Sequence, residues 1–228
     1  MEIKQAARNI ISKRADKVYR SYLRYPLDKY GIYSYRPTVK QSALFVEALH
    51  EMNIPHKGIR IDHKRALCFN GKDKYNVIFP KRYVDGAARL SKEKIYKYCF
   101  IGKYTPFRKW TKAYKSDDSY IKFTDSGRQH SKGFFDRDYY QIMCNSEFTL
   151  CPKGDYLWTY RFYEAIICSS IPIVEEDGIE PSMSGFAYFI HSKDNSLFIY
   201  DRDICKQNYD LFLERHTLLD KGNNFKIR

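Results

Sequence analysis

The chain has 228 residues, with 40 Lys and Arg against 27 Asp and Glu and a net charge of +13. Hydrophobic residues make up 43% of it and aromatic residues 17%, which excludes the composition of a disordered chain. We therefore expect a folded protein whose basic surface attracts phosphates, nucleotides or anionic lipid headgroups.

Residues 3–23 open the chain with apolar positions at a helical period and lysines and arginines between them. This pattern predicts an amphipathic helix that either packs on the core or lies against an anionic membrane surface. The N-terminus lacks the apolar centre of a secretory signal, and no run approaches the roughly 20 apolar residues of a membrane span. We expect a cytoplasmic protein, with this helix as its means of peripheral membrane contact.

Residues 1–95 are assigned to a small N-terminal α/β unit on the acceptor side. Residues 38–53 predict a helix, and residues 54–62, 66–71 and 75–80 are strand-like runs.

Residues 96–200 are assigned to a second α/β unit. A connecting helix at residues 84–97 leads to it, and its first apolar strand ends in Gly102, before a loop to Arg108. The polar segment 111–137 predicts a long mobile loop with a short strand at residues 120–123.

The rest of this unit alternates helices and strands, which is typical of parallel βαβ units. The predicted elements are helix 138–146, strand 148–152, helix 159–169 and strand 171–176. Residues 201–228 form the third segment, an amphipathic helix and tail that we expect to return toward the N-terminal half.

The loop between strand 148–152 and the next helix is a candidate anion site. Ligands bind outside the carboxyl ends of parallel strands, where helix N-termini favour negative charge. Lys153 supplies a cation there, and Gly154 permits close approach of the backbone. Thr159 is expected to be the N-cap of the helix.

Arg161 and Glu164 are three residues apart and therefore neighbours on one face of that helix. A guanidinium suits a phosphate because it donates two parallel hydrogen bonds, and a carboxylate can accept from two sugar hydroxyls. The pair is consistent with a site for phosphate plus ribose. The alternative is an ordinary surface ion pair, worth only about 0.3–0.5 kcal/mol.

Residues 148–177, FTLCPKGDYLWTYRFYEAIICSSIPIVEED, resemble the donor-binding core of the exostosin-like glycosyltransferases. The family motif runs from a strand through Pro-x-Gly and Ser-x-Arg to Glu-Ala, a small-residue turn and an Ile-Pro-Val strand. Residues 100–108, FIGKYTPFR, resemble the strand, glycine loop and arginine of related GT-B enzymes. The chain departs from the motif at Thr159, where the family often has Ser, and at Ser169–Ser170, where it usually has Gly.

The resemblance implies an α/β fold with two Rossmann-like units facing a cleft, a compact GT-B type. It implies that Arg161 meets the donor diphosphate and Glu164 the ribose. The other residues that it places in the pocket are Lys153, Gly154, Thr159 and, as a second phosphate ligand, Arg108.

The implied reaction transfers a sugar, with inversion, from a nucleoside diphosphate sugar to a glycan, glycolipid or glycoprotein. UDP and GDP are the expected nucleotides, and no further cofactor is expected. Because Arg108, Lys153 and Arg161 can stabilise the leaving diphosphate, we predict that no metal is required. The Asp-x-Asp spacing at residues 201–203 is interpreted as the start of the terminal helix.

The catalytic base is not identified by any motif. An inverting enzyme needs one to deprotonate the acceptor hydroxyl. The candidates are Asp62, His63, Asp155 and, on the polar loop, His130.

Two other functions stay open. One is a degenerate glycosyltransferase-like domain that binds without turnover, and the other is a basic nucleic-acid-binding protein. Against the latter, the basic residues are spread along the chain without a known nucleic-acid motif, so no nucleic-acid partner is expected. The six cysteines form no Cys-x-x-Cys pair and are predicted to be reduced core residues.

Overall fold

A computed structural model of the protein describes residues 39–55, 59–62, 67–124, 135–153, 159–192, 194 and 197–217, with the side chains of residues 39–44 and 59–62 left aside. The predicted basic helix at residues 3–23 lies outside these ranges.

Among the described residues of the N-terminal part there are one helix and three short strands. Their bounds are α1 Val39–Glu51, β1 Ile59–Asp62, β2 Leu67–Asn70 and β3 Asp73–Asn76. The strands pair antiparallel in the order β1-β2-β3. This differs from the parallel pairing of a second Rossmann-like unit. The cleft between two such units stays a prediction.

The second sheet has five strands, and all of its neighbouring strands pair parallel. Its order is β5-β4-β6-β7-β8. The strands are β4 Tyr96–Lys103, β5 Ser119–Thr124, β6 Ser146–Leu150, β7 Ile171–Val174 and β8 Phe189–Ile190. The predicted alternation of strands and helices is confirmed as a Rossmann-like α/β arrangement.

Four helices and three 3-10 turns connect and cover these strands. They are α2 Lys81–Ala88, α3 Arg137–Cys144, α4 Tyr160–Ile167 and α5 Arg202–His216, with 3-10 helices at Pro106–Tyr114, Glu176–Gly178 and Pro181–Met183. The connecting helix begins and ends earlier than predicted. The strand predicted at 120–123 is an edge strand of the parallel sheet, paired with β4.

Both faces of the parallel sheet are buried, as parallel sheets require. Strand β4 shows this by alternation, because Tyr98 and Phe100 pack in one apolar cluster while Cys99 packs in the other. The cluster that contains Cys99 also contains residues of the N-terminal sheet and of helices α1 to α5. The N-terminal strands and the helices therefore share one core.

The C-terminal helix α5 reaches back to the N-terminal half. Nδ1 of His216 lies 2.7 Å from the carbonyl oxygen of Val77, and the amide of Phe79 donates to the carbonyl of His216 at 2.8 Å. The rings of Phe79 and Phe212 meet edge to face at 5.5 Å. Burial lowers the pKa of His216 to about 4, so the imidazole is neutral at pH 7.

All six cysteines are free and buried, which confirms the prediction of reduced core thiols. Within the described ranges, none of the helices combines the length and the apolar character needed to span a bilayer.

Candidate functional site

The carboxyl end of β4 brings two arginines against one glycine. Gly102 is the penultimate residue of the strand, and Arg161 and Arg108 approach it from α4 and from the first 3-10 helix. A Cβ atom on Gly102 would lie 3.1 Å from Nη2 of Arg161 and 3.5 Å from Nη1 of Arg108. Because Gly102 has no side chain, there is space beside it for both guanidinium groups.

Arg161 is buried, with only 7% of its surface exposed. Its Nη2 donates to the carbonyl oxygen of Ile101 at 2.7 Å, and its Nε donates to the hydroxyl of Tyr139 at 3.3 Å. The guanidinium carbon lies 4.7 Å from the centre of the Phe100 ring. These contacts hold the charge at the sheet edge where ligands of parallel sheets bind.

The charge of Arg161 is preserved in this position. Burial tends to lower the pKa of the guanidinium, but Tyr139, Cys151 and Glu164 raise it above its ordinary value. The site therefore carries a permanent positive charge.

Glu164 lies deeper, with 1% of its surface exposed. Its Oε2 accepts from the hydroxyl of Tyr139 and its Oε1 from the hydroxyl of Tyr140, both at 3.1 Å. Because Arg161 and Glu164 are both buried, the alternative of a surface ion pair is wrong. Both carboxylate oxygens are engaged by tyrosines here, and the contact of Glu164 with a ribose stays a prediction.

Helix α4 starts as its sequence predicts. Thr159 is extended, and its hydroxyl accepts from the amide of Arg161 at 3.3 Å, which confirms the predicted N-cap. Every residue from Arg161 to Ile167 is buried. The cap thus fixes the first turn of a helix whose two charged side chains are buried.

Lys153, after β6, is engaged by acidic residues that follow β7. Its amide donates to Oε2 of Glu175 at 2.9 Å, and its ammonium forms an ion pair with Asp177. A second oxygen of Glu175 lies 3.9 Å from the ammonium. The structure thus places the Lys153 cation between two carboxylates, and its contact with phosphate stays a prediction.

His191 follows β8 at the same edge of the sheet. Its Nδ1 lies 2.8 Å from the hydroxyl of Tyr114, and its ring stacks on Trp110 at 4.4 Å. Burial lowers the pKa of His191, against the opposing effect of Glu175, so the imidazole is neutral at pH 7. The sequence offered no pattern for this residue.

The profile of the Exostosin GT47 domain matches residues 46–210, well over half of the chain. The chain belongs to the exostosin GT47 family. Membership confirms the resemblance carried by residues 148–177 and indicates glycosyltransferase activity in general. A comparison with curated proteins finds no match.

The exostosin match includes Arg108, Lys153, Thr159, Arg161 and Glu164. Of these, the structure places Arg108 and Arg161 against Gly102 and links Arg161 to Glu164 through Tyr139, while Thr159 caps helix α4, which carries Arg161 and Glu164.

The other predicted site residues lie at the end of a described strand or outside the described ranges. Asp62 is the last residue of β1. The residues outside the described ranges are His63, His130, Gly154 and Asp155. The assignment of the catalytic base therefore stays open among its four candidates.

The Asp-x-Asp sequence at residues 201–203 lies at the start of helix α5. The carboxylate of Asp201 accepts from the amides of Asp203 and Ile204 at 2.7 and 3.3 Å. This confirms that Asp201 opens the terminal helix.

Tyr139 and Tyr140, like His191, are residues of the site that the sequence did not predict. The one available signal was chemical, since buried tyrosine hydroxyls usually find a hydrogen-bond partner. Which partner they find depends on the packing of α3 against α4, which no local pattern specifies.

Proposed function

We propose that the protein transfers a sugar from a UDP or GDP sugar, with Arg161 and Arg108 binding the donor diphosphate at the carboxyl end of β4. The observation that carries the proposal is the buried Arg161 guanidinium beside Arg108 and Gly102. Removing a charge from water is costly, so a buried cation at a ligand-binding edge favours an anionic ligand.

The chemistry follows from this placement. The acceptor hydroxyl attacks the anomeric carbon, the bond from that carbon to the phosphate oxygen breaks, and a base takes the hydroxyl proton. Two guanidinium groups stabilise the negative charge that develops on the leaving diphosphate. We infer that the reaction inverts the anomeric configuration, as the family resemblance implies, and that it needs no metal, since the two guanidinium groups are charged at every working pH.

The other predicted donor contacts complete the proposal. Glu164 binds the ribose after exchanging a tyrosine hydroxyl for a sugar hydroxyl. The residues proposed to line the same pocket are Lys153, Gly154 and Thr159. The acceptor is a glycan, glycolipid or glycoprotein, and the proton acceptor is one of Asp62, His63, Asp155 and His130.

The test is a binding and thermal-shift panel with UDP, GDP and their sugars, run with EDTA and with added Mg²⁺ or Mn²⁺. Wild-type protein is expected to be stabilised by one nucleotide class, equally with and without metal. Arg161→Ala is expected to lose most of that affinity, because the diphosphate loses its buried partner. Arg202→Ala, at an exposed position in α5, is the matched control and should bind as wild type does.

Arg108→Ala is a second variant, since Arg108 is only half-buried and its removal disturbs the core less. It is expected to weaken nucleotide binding with the fold retained, as judged by circular dichroism. Normal binding by both arginine variants would show that the diphosphate lies elsewhere.

Turnover separates the alternatives. Formation of a glycosylated product whose anomeric configuration is inverted, read by NMR, supports the enzyme. Nucleotide binding without product would favour the degenerate domain. Salt-sensitive binding of RNA or DNA, with no response to any nucleotide sugar, would favour the nucleic-acid-binding protein.

A further inference from the structure

One tyrosine hydroxyl joins the two buried charged residues of α4. The oxygen of Tyr139 accepts from Nε of Arg161 at 3.3 Å, and its proton goes to Oε2 of Glu164 at 3.1 Å. A phenol can accept and donate at the same time. Tyr139 therefore links the guanidinium to the carboxylate through a single atom.

These contacts set the direction of the Arg161 fork. Nε faces Tyr139 and Nη2 faces the carbonyl of Ile101, while the ring of Phe100 lies against the guanidinium carbon. Within the described ranges, Nη1 of Arg161 makes no hydrogen bond. Because a guanidinium is planar and rigid, fixing Nε and Nη2 also fixes the direction of the Nη1 donors.

Tyr139 is itself held in place by the start of α3. The carboxylate of Asp136 caps this helix and accepts from the amide of Tyr139 at 3.1 Å. The Tyr139 ring is 4% exposed and stands edge to face with Tyr140 at 5.5 Å. A side chain so fixed can hold its neighbour before any ligand arrives, which lowers the ordering cost of binding.

We propose that Tyr139 is a positioning residue for phosphate recognition, whose hydroxyl fixes Arg161 so that the Nη donors of the fork meet the donor diphosphate. This inference rests on the proposed function, because it requires a diphosphate at Arg161. Because Tyr139 acts through Arg161, the binding of the phosphates alone, without base or sugar, depends on it.

The test compares Tyr139→Phe with Tyr200→Phe by isothermal titration with inorganic pyrophosphate, UDP and GDP. Each variant removes one hydroxyl, and that of Tyr200 donates to the carbonyl of Ser169 at 3.1 Å, beyond the other end of α4. Tyr139→Phe is expected to weaken pyrophosphate and the preferred nucleotide by a similar factor of roughly ten. Tyr200→Phe is expected to leave both affinities as in wild type.

Arg161→Lys tests the same idea by a second route. Lysine keeps the positive charge but lacks the planar fork that Tyr139 orients. It is expected to weaken pyrophosphate binding by a comparable factor. A lysine variant that binds as tightly as wild type would overturn the positioning role, whatever the stability of Tyr139→Phe.

The outcomes distinguish this inference from the function on which it rests. If wild type binds pyrophosphate and Tyr139→Phe binds it equally well, the positioning role is wrong and the donor site stands. If the two tyrosine variants lose affinity equally, the hydroxyl serves general stability and the role is again wrong. Wild-type protein that binds neither pyrophosphate nor a nucleoside diphosphate would overturn the proposed function and this inference with it.

Discussion

Gly102 is the glycine whose side-chain space is occupied by the arginines of the candidate site. A Cβ atom there would lie 3.1 Å both from Nη2 of Arg161 and from Cζ of Phe100, which is closer than about nine in ten real Cβ contacts. The constraint comes from space rather than from backbone conformation, because the neighbours that fill it are the arginine and the ring beneath it.

Gly102→Ala is therefore expected to push the Arg161 guanidinium away from its place. The nucleotide affinity should fall by roughly three- to tenfold, and Gly102→Val should remove it, because overpacking of this kind costs about 1–3 kcal/mol. Isothermal titration measures the affinities, and circular dichroism checks the fold.

The Arg161→Ala background supplies the control for this prediction. In that background the new Cβ atom of Gly102→Ala meets one neighbour fewer. Gly102→Ala should therefore lower the melting temperature by less in Arg161→Ala than in wild type. Full nucleotide affinity in Gly102→Val would contradict the placement of the diphosphate beside this glycine.

The spacing of Arg161 and Glu164 and the cap at Thr159 were predictable from the sequence, because each depends on one helix alone. The burial of both charges was not. It depends on α3 placing Tyr139 and Tyr140 against α4, and on β4 placing Phe100 beneath the guanidinium. Contacts between elements distant in sequence leave no local period to detect.

Among the secondary-structure elements, helix α5 shows how a short signal determines a boundary. Asp201 is extended and its carboxylate accepts from the second and third amides of the helix, those of Asp203 and Ile204. The helix then buries Cys205, Asn208, Phe212 and His216. The cap therefore stabilises the start of a helix that packs against the core along most of its length.

Asp201→Ala is expected to lower the free energy of unfolding by about 1 kcal/mol, because two helix amides lose their acceptor. Asp201→Ser retains an acceptor at the same position and should keep most of the stability. Urea denaturation followed by circular dichroism measures both. If serine were as destabilising as alanine, Asp201 would stabilise the protein by something other than capping.

The elements themselves were largely predictable, and the exceptions have a physical cause. Residues 75–80 were predicted as a strand because they are apolar, yet β3 ends at Asn76. Val77 and Phe79 are buried without a strand partner, since the carbonyl of Val77 and the amide of Phe79 bond to His216. An apolar run indicates burial but not the element that buries it. The antiparallel pairing of β1, β2 and β3 was likewise absent from the local pattern.

In the whole molecule, His216 connects the C-terminal helix to the N-terminal half. Its Nε2 is buried and has no hydrogen-bond partner within the described ranges, and the ring of Tyr163 lies 4.3 Å away. Protonation would place a charged N–H in these apolar surroundings. Burial accordingly lowers the pKa of His216 to about 4.

The stability of the protein should therefore fall as the pH falls from 6.5 to 4. In that window the unfolded chain binds a proton at this histidine and the folded protein does not. Proton binding therefore stabilises the unfolded state relative to the folded one. Above pH 6.5 the contribution of His216 to the free energy of unfolding is complete. At pH 4.5 the free energy of unfolding is lower by about 2–3 kcal/mol. Urea unfolding at pH 7.5 and pH 4.5 measures it.

His216→Asn is the matched variant, because its amide can still donate to Val77 but does not titrate. It should be less stable than wild type at pH 7.5, and its stability should fall less between pH 7.5 and 4.5. Parallel pH dependence in the two proteins would show that the acid sensitivity has another source.

The burial of all six cysteines has a practical consequence for spectroscopy. A new cysteine at an exposed position would be the thiol most open to a maleimide dye, so the native cysteines need not be replaced first. Phe107 is 58% exposed and adjoins Arg108, while Leu197 is 72% exposed. A fluorophore at Phe107 would report the arrival of an anion at the arginines, and one at Leu197 would provide the reference signal.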